Sequence, residues 1–322
     1  MKKVLRAFLW FVIAGIITIF LLFFYNTKIV ESREPISTAP ATTKFIDVGG
    51  EKIAYTETDN HASTTAVFVG GLSAWGGTWE RVVSEINSKR NDINYLVIDL
   101  PPFGYSIPSS DKNYFRDTQA ERIAGVVENK KINHIILVAH SYGAGPSVEY
   151  AMRHEDKVEK LIIIDGVLNI NEPKVVNKQS PVQIDFLRNF LLGVLVHNDS
   201  FAISRLKTFV NIRDHVDQKL LDVYTRYFDT KNTTMRLSQW FRDYVNDPLN
   251  YQSNLSSSYE KILMPVRLIW GDKDTITPIE GTKVLLDTVP NIKLIALSGV
   301  GHIPMIEDYE RFDAALFDAL KK

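Results

Sequence analysis

The chain has 322 residues, of which 45% are hydrophobic and 23% are charged, and its formal net charge is −1. This balance excludes a disordered acidic protein and a basic nucleic-acid-binding protein, so we expect no nucleic-acid partner. Because the sequence contains no cysteine, it also excludes disulfides, thiolate zinc sites and cysteine nucleophiles. The length suits one large domain, or a domain with a substantial insertion.

The N-terminus combines positive charge with a long apolar run. Lys2, Lys3 and Arg6 precede Ala7–Tyr25, which is 19 residues without a charge. A helix of that length rises about 28 Å, close to the roughly 30 Å of a hydrocarbon core. A buried core helix is the alternative, but an unbroken apolar helix at a terminus favours a membrane segment.

Two fates are open to this segment, cleavage or retention. The run is longer than the core of a signal peptide and ends in Phe23-Phe24-Tyr25 rather than in small residues. We therefore predict a single-pass transmembrane signal-anchor over residues 1–28, in contact with the membrane through residues 4–25. The positive flank favours an N-terminus inside the cell, which predicts a domain on the extracytoplasmic side.

A tether and a hairpin follow the predicted anchor. Residues 29–43 are polar and contain two prolines, which predicts a linker. Lys44–Val48 and Glu51–Thr58 flank Gly49-Gly50, the pattern of a β-hairpin.

Apolar strand-like runs then alternate with helical patterns. The predicted strands are Ala66–Val69, Tyr95–Leu100, Ile135–Ala139 and Leu161–Ile164, and the predicted helices are Trp79–Ile86, Asp117–Glu128 and Gly143–His154. The strands are almost wholly apolar, as expected when helices cover both faces of a sheet. This alternation predicts an α/β fold with a mostly parallel sheet.

The alternation stops over residues 168–259, where we predict a helical cap inserted into the α/β domain. An amphipathic stripe lies at helical spacing, formed by Leu187, Phe190, Leu191, Val194 and Leu195. With Phe186, Phe201, Trp240 and Phe241, the stripe either lines a site for an acyl chain or builds the core of the cap.

Strand and helix patterns return after the cap, with Val266–Trp270, Pro278–Thr288, Lys293–Leu297 and Pro304–Lys321. The α/β core is therefore predicted in two parts, residues 44–167 and 260–322.

Ser141 lies at a tight turn between a predicted strand and a predicted helix. The surrounding residues are Ala139-His140-Ser141-Tyr142-Gly143, close to the Gly-x-Ser-x-Gly pattern of a nucleophile elbow. Small residues are needed two positions before and after the serine, and alanine is the next smallest after glycine. A serine that only caps the helix is the alternative.

Serine needs a base to remove its proton and a carboxylate to orient that base. The strand Val266–Trp270 runs into Gly271-Asp272-Lys273-Asp274, and His302 follows the last predicted strand. Ligands bind past the carboxyl ends of strands in such sheets, and the order serine, acid, histidine is that of one known fold.

With these motifs, residues 43–322 resemble the α/β-hydrolase superfamily, in its branch of serine hydrolases with a helical cap. The resemblance implies a triad of Ser141, Asp274 and His302. Asp272 and Asp165 remain alternative acids, and the six other histidines lie at positions 61, 134, 140, 154, 197 and 215.

The resemblance also implies an oxyanion hole made by the backbone N–H groups of Leu72 and Tyr142. Gly70 stands where the family has a histidine, which puts the rigidity of that loop in question but not the donor. The segment Asp99–Ser106 resembles a structural loop of the family.

The expected function is hydrolysis of a carboxylic ester, or a related small-molecule or lipid-like acyl compound, through an acyl-enzyme on Ser141. Carbon–carbon bond hydrolysis, amide or peptide cleavage and perhydrolysis use the same scaffold and stay open, as does a non-catalytic binding protein of the same fold. We expect neither a cofactor nor a metal, and the sequence does not indicate an oligomeric state.

Overall fold

The computed structural model describes residues 2–111, 113–171 and 180–321. Residues 172–179, which belong to the predicted cap, therefore lie outside the described part of the chain, as do the two terminal residues and residue 112.

Eight strands form one sheet in the order β1-β2-β4-β3-β5-β6-β7-β8. The strands are β1 Lys44–Val48, β2 Glu51–Thr58, β3 Thr65–Val69, β4 Asn94–Ile98, β5 Ile135–His140, β6 Val158–Ile164, β7 Val266–Gly271 and β8 Ile292–Leu297. β2 is antiparallel to β1 and β4, and the remaining pairs are parallel. The predicted α/β fold with a mostly parallel sheet is confirmed.

Thirteen α-helices are present among the described residues. They are α1 Lys2–Tyr25, α2 Pro35–Thr38, α3 Gly76–Lys89, α4 Arg116–Asn129, α5 Ala144–Arg153, α6 Asp185–Leu195, α7 Asp199–Leu206, α8 Gln218–Thr225, α9 Thr233–Asn246, α10 Ser256–Tyr259, α11 Lys283–Thr288, α12 Pro304–Glu307 and α13 Tyr309–Leu320.

The sheet is covered on both faces, which explains the apolar strands. Adjacent residues of a strand point to opposite faces, so Leu137 joins one buried cluster and Val138 joins the other. Helix α4 packs in the first cluster through Val126, and helix α13 packs in the second through Phe312. Both clusters are fully buried at these positions.

The strand order reverses around β3, which lies between β4 and β5. Chain connections leave in opposite directions at such a switch point, and they open a crevice beyond the carboxyl ends of the strands. Val69 ends β3 and His140 ends β5, so the loops that follow them meet in this crevice.

One predicted helix is two helices in the structure. Pro304–Lys321 is divided at Asp308, between α12 and α13. The Asp308 carboxylate accepts the backbone N–H of Arg311 at 3.1 Å and so caps the start of α13. The apolar period continues through the break, and the sequence pattern therefore did not reveal it.

The segment between α1 and β1, predicted as a linker, packs against the cap. After α1 the chain makes a π-helical turn over Asn26–Val30. Glu31 is buried, and its carboxylate accepts the backbone N–H of Thr234 at 3.1 Å and hydrogen-bonds the His197 ring at 3.0 Å. These contacts join the segment to the N-terminus of α9 and to the turn after α6.

Candidate active site

Ser141 lies at the turn from β5 into α5 with a positive φ of 51°. This left-handed conformation is strained for serine and is typical of a nucleophile elbow. The turn is possible because Gly143 has no side chain: a Cβ there would lie 2.5 Å from the carbonyl oxygen of Gly70. Ala139 is fully buried in β5 and pairs with Val69 and Ile163, so a small residue fits there.

The structure brings Ser141, His302 and Asp274 into one hydrogen-bonded row. His302 Nε2 lies 2.8 Å from Ser141 Oγ, and His302 Nδ1 lies 2.7 Å from Asp274 Oδ2. All three residues are buried. With the Nδ1–H tautomer, Nε2 accepts the serine proton, which is the geometry that activates a serine.

The Asp274 carboxylate is held by the loop that carries it. Oδ1 accepts the backbone N–H groups of Ile276 at 2.7 Å and Thr277 at 3.0 Å, and Oδ2 accepts the Thr277 hydroxyl at 2.6 Å. Burial favours the neutral acid, but the hydrogen bonds from His302 and Thr277 outweigh it and lower the pKa of Asp274. Asp274 therefore presents a carboxylate to the histidine. Sequence reasoning missed Thr277, which no motif distinguishes.

The two alternative acids make other contacts, although Asp165 lies close to Asp274 and His302. Asp272 turns to the β8 loop, where it accepts the backbone N–H of Gly299 at 2.6 Å and the Ser298 hydroxyl at 3.1 Å. Asp165 is fully buried behind Asp274, and its Oδ1 accepts the N–H of Gly271 at 2.9 Å. Burial and then the nearby Asp274 raise the pKa of Asp165 well above its usual value, which favours its neutral form.

His140 supports the site through a hydrogen bond to the backbone of His302, a role that the sequence analysis did not assign. Its Nε2–H donates to the carbonyl oxygen of His302 at 2.9 Å. Burial, and then the neighbouring His302, lower the pKa of His140 to about 3, so the ring is neutral. His140 thus fixes the backbone of the loop that carries His302. In the sequence, only its position next to Ser141 indicated that His140 would lie at the site.

The loop after β3 approaches Ser141 closely. A Cβ at Gly71 would lie 2.7 Å from Ser141 Cβ, so a side chain there would displace the serine. Leu72 follows and lines the same cavity as Ser141. The expected oxyanion donor, the backbone N–H of Leu72, thus belongs to a loop that contacts the serine.

Gly70 departs from the family pattern for a local reason. A Cβ at this position would lie 2.4 Å from Ala74 Cβ and 3.1 Å from Trp79 Nε1. Side chains of α3 and the turn before it therefore fill the volume that a histidine would need.

The Tyr142 side chain is fixed between the α/β core and the cap. Its hydroxyl accepts a hydrogen bond from Gln119 Nε2 at 3.0 Å, and its ring packs edge-on against Phe103 and Trp240. A fixed side chain orients the backbone of the residue after Ser141, which is the position of the other expected oxyanion donor.

Ser141 and His302 open onto a cavity of about 320 Å³ beneath the cap. Its walls are mostly aliphatic and aromatic, formed by Leu192, Val196, Phe201, Leu206, Phe209, Leu221, Tyr224, Phe228, Leu237, Trp240 and Phe241. Among the described lining residues, Arg205 carries the only permanent charge. The size and lining suit a small or medium apolar ligand.

The cap residues singled out in the sequence divide between two surfaces. Phe201, Trp240 and Phe241 line the cavity, whereas Phe186 is 65% exposed on the outside of the cap. The stripe on α6 also points away from the cavity. Phe190 contacts Phe20 and Phe23 of α1, with ring centroids 4.8 and 5.3 Å apart. Leu192 and Val196, outside the stripe, line the cavity instead.

Two features together define an α/β hydrolase. One is a mostly parallel sheet with a strained serine after its central strand, and the other is a carboxylate–histidine pair that follows later strands. The model of the alpha/beta hydrolase fold family matches residues 66–309, and the chain belongs to that family.

Relatives of the chain include hydrolases of two chemistries. It is 24% identical over 289 residues to Lipase 3 of Moraxella sp., covering 85% of this chain and 83% of the relative. It is also 24% identical over 252 residues to 2-hydroxymuconate semialdehyde hydrolase of Pseudomonas sp., covering 78% and 83% of the two chains.

A solved structure described as a bacterial membrane phospholipase A is similar over the full length of both chains, with a TM-score of 0.65 and 20% identity. This likeness supports the fold.

Proposed function

We propose that this protein is a serine hydrolase that cleaves carboxylic esters of apolar acyl groups through an acyl-enzyme on Ser141. The observation that carries the proposal is the row Ser141–His302–Asp274, with spacings of 2.8 and 2.7 Å, at the floor of an apolar cavity. The likeness to a lipase supports an ester as substrate.

In the proposed mechanism, His302 Nε2 takes the proton of Ser141 as Oγ attacks the ester carbonyl carbon. The negative charge that develops on the carbonyl oxygen is stabilised by the backbone N–H groups of Leu72 and Tyr142. His302 then gives the proton to the departing alcohol, which leaves an acyl group on Oγ. Water, deprotonated by His302, releases the acid, while Asp274 holds the ring and stabilises its positive charge.

Carbon–carbon bond hydrolysis is the second candidate, because a relative of similar identity is a 2-hydroxymuconate semialdehyde hydrolase. A substrate of that kind carries a carboxylate, which Arg205 at the cavity could bind. The largely apolar lining favours an acyl ester instead. Replacing Arg205 with alanine should leave hydrolysis of an uncharged ester such as p-nitrophenyl butyrate largely intact if the ester is the substrate class.

A fluorophosphonate probe tests the nucleophile directly. The wild-type protein should be labelled and should hydrolyse p-nitrophenyl butyrate, and Ser141→Ala should lose both properties. Ser200→Ala, at an exposed serine of the cap, serves as the control and should behave as the wild type. Ester turnover at the wild-type rate by Ser141→Ala would overturn the proposal. Turnover of a diketone substrate in preference to all esters would favour the second candidate.

We also propose that α1 is a retained single-pass anchor, with the hydrolase domain on the extracytoplasmic side. Lys3–Val30 is long and apolar enough to cross a membrane, with a mean hydropathy of 2.7. Because the chain has no cysteine, a single cysteine reports its side unambiguously. A cysteine replacing the exposed Leu263 should react with a membrane-impermeant maleimide in intact cells. Reaction only after cell lysis would indicate the opposite orientation, with the hydrolase domain inside the cell.

A further inference from the structure

Helix α6 connects the two parts of the protein that the proposed function requires, the anchor and the cavity. One side of the helix carries Leu192, which lines the cavity. Another side contacts α1 through Phe190 and Gly193, and the Gly193 carbonyl accepts a hydrogen bond from Asn26 Nδ2 at 2.7 Å. A Cβ at Gly193 would lie 2.6 Å from the Phe23 ring, so glycine allows this close approach.

The contact with α1 sets the depth of α6 in a bilayer. Phe20 lies five residues before Tyr25, the last residue of the apolar run, which is about 7.5 Å along a helix axis. Phe190 packs on Phe20 and Phe23, so it lies below the end of the run. Helices that bind a membrane surface bury their apolar face by about 5–10 Å, the same depth range.

The outward surface of α6 is apolar. Phe186 and Leu191 are exposed, and Leu187, Val194 and Leu195 are partly exposed beside them. The Phe186 ring stacks on Phe190, so the exposed surface is continuous with the contact to α1. An exposed apolar surface on a helix whose inner side lines an apolar cavity is typical of a membrane environment rather than of a surface in water.

The charged residue of α6 that faces inward is fully engaged with the cap. Arg188 is buried, and its guanidinium donates to the carbonyl oxygens of Ser238 at 2.9 Å and Val182 at 2.8 Å. It also pairs with Asp185 at 2.5 Å, which neutralises that carboxylate. Arg188 therefore does not oppose transfer of the outer surface into lipid, whereas the Asp185 side chain, 67% exposed at the first residue of α6, has to stay at the level of the headgroups.

The rim of the cavity lies on the neighbouring helix. Phe201 of α7 and Leu72 both line the cavity and are partly exposed, at 39% and 42%. Arg205, one turn after Phe201, is exposed on the same rim. An apolar rim with one cation suits a lipid whose acyl chain enters the cavity and whose anionic headgroup stays at the surface.

We propose that α6 and the adjoining rim of α7 insert into the outer leaflet beside α1, and that acyl lipids pass sideways from that leaflet into the cavity at Ser141. This inference rests on the proposed ester hydrolase and its anchor, and it identifies the substrates as esters resident in the membrane. The contacts of Glu31 with Thr234 and His197 hold the cap at that depth.

Depth-dependent quenching tests the insertion on the full-length protein in phosphatidylcholine vesicles. Single cysteines replacing Phe186, Leu191 and Leu263 are labelled with an environment-sensitive fluorophore. Leu263 is the matched control, because it is an exposed leucine before β7, at the opposite end of the sheet from Ser141. Lipids with a nitroxide on the acyl chain should quench the labels at positions 186 and 191 but not the label at 263. Equal quenching at all three, or none at 186 and 191, would overturn the proposal.

Kinetics test the route of the substrate. The double variant Phe186→Ser with Leu191→Ser should lose at least about tenfold of its activity on a lipid ester in vesicles, because two apolar contacts with the leaflet are removed. It should retain its rate on dissolved p-nitrophenyl butyrate, and Leu263→Ser should retain both activities. An equal loss on both substrates, or no loss on vesicles, contradicts entry from the leaflet. A wild-type protein that cleaves no ester instead refutes the proposed function, while the quenching result still decides the insertion.

Discussion

Replacing Asp274 with asparagine should disable the base while leaving the fold intact. Oδ1 of Asp274 accepts two backbone N–H groups, so an amide nitrogen cannot occupy that position. The asparagine NH2 must therefore take the place of Oδ2 and face Nδ1 of His302, which is 2.7 Å away in the wild type. Nδ1 then has to accept a hydrogen bond, so the ring proton moves to Nε2 and faces Ser141.

In that tautomer, His302 cannot take the serine proton. The expected loss in kcat is about 10⁴-fold, as for a triad whose histidine is held in the wrong tautomer. At about 1.36 kcal/mol per tenfold change, this is about 5.4 kcal/mol of transition-state stabilisation. The assay is the steady-state hydrolysis of p-nitrophenyl butyrate with active-site titration, and KM should change little because Asp274 does not line the cavity.

Asp272→Asn is the matched control, since it makes the same chemical change two residues away on a half-buried side chain, where the amide oxygen can still accept the N–H of Gly299. It should keep kcat within about twofold of the wild type, as expected for a surface position. An Asp274→Asn protein that retains more than a tenth of the wild-type kcat would refute the assigned acid. Such a result would shift the role to Asp165, the other carboxyl group near His302.

Three further changes probe the surroundings of the site. Gly71→Ala should abolish ester turnover, because its Cβ would lie 2.7 Å from Ser141 Cβ, whereas Gly281→Ala, which meets nothing within 4 Å, should not. Glu31→Ala should lower the urea midpoint of unfolding by an amount equivalent to about 1–3 kcal/mol, since buried donors lose their acceptor. Glu34→Ala, at an exposed position, is the control. An equal effect of both substitutions would contradict a stabilising role of the buried Glu31 carboxylate. Asp165→Asn should retain activity. An aspartate carboxyl group in the unfolded chain has a pKa of about 3.9. Because the pKa of Asp165 is raised in the folded protein, the folded state binds more protons than the unfolded state above that pH. The stability of the wild type therefore falls as pH rises. The variant should gain in Tm relative to the wild type as the pH rises above about 4, and a constant difference would contradict a raised pKa of Asp165.

The α/β core could be predicted because its physical signals are local. Runs such as Ile135–Ala139 are apolar at every position, which is required when both faces of a strand are buried. The break between α12 and α13 depends instead on one capping carboxylate at Asp308, and a single polar residue does not interrupt the apolar period.

The candidate triad could be predicted from chain order, but its supporting contacts could not. Ser141, Asp274 and His302 each follow a strand, and the sheet brings those strand ends together. Thr277 and His140 act through single hydrogen bonds to Asp274 and to the carbonyl of His302. Such bonds depend on tertiary placement, which spacing along the chain does not encode.

The cap was the least predictable part, because helical periodicity identifies an apolar face but not its partner. The stripe on α6 has the spacing of a face that packs on a core. In the structure its Phe190 packs on α1, and the cavity is lined by the next face, with Leu192 and Val196. Since both faces of α6 are apolar, only the position of α1 distinguishes them.

The contacts of the cap also reach the base. The backbone N–H of His302 donates to the carbonyl oxygen of Phe209 at 2.7 Å, in the loop after α7. The Asn211 side chain donates to the carbonyl oxygen of Gly299 at 2.9 Å, three residues before His302. The same cap is joined to the segment after α1 through Glu31. A continuous series of contacts therefore links the segment after α1, the cap and the loop that carries His302.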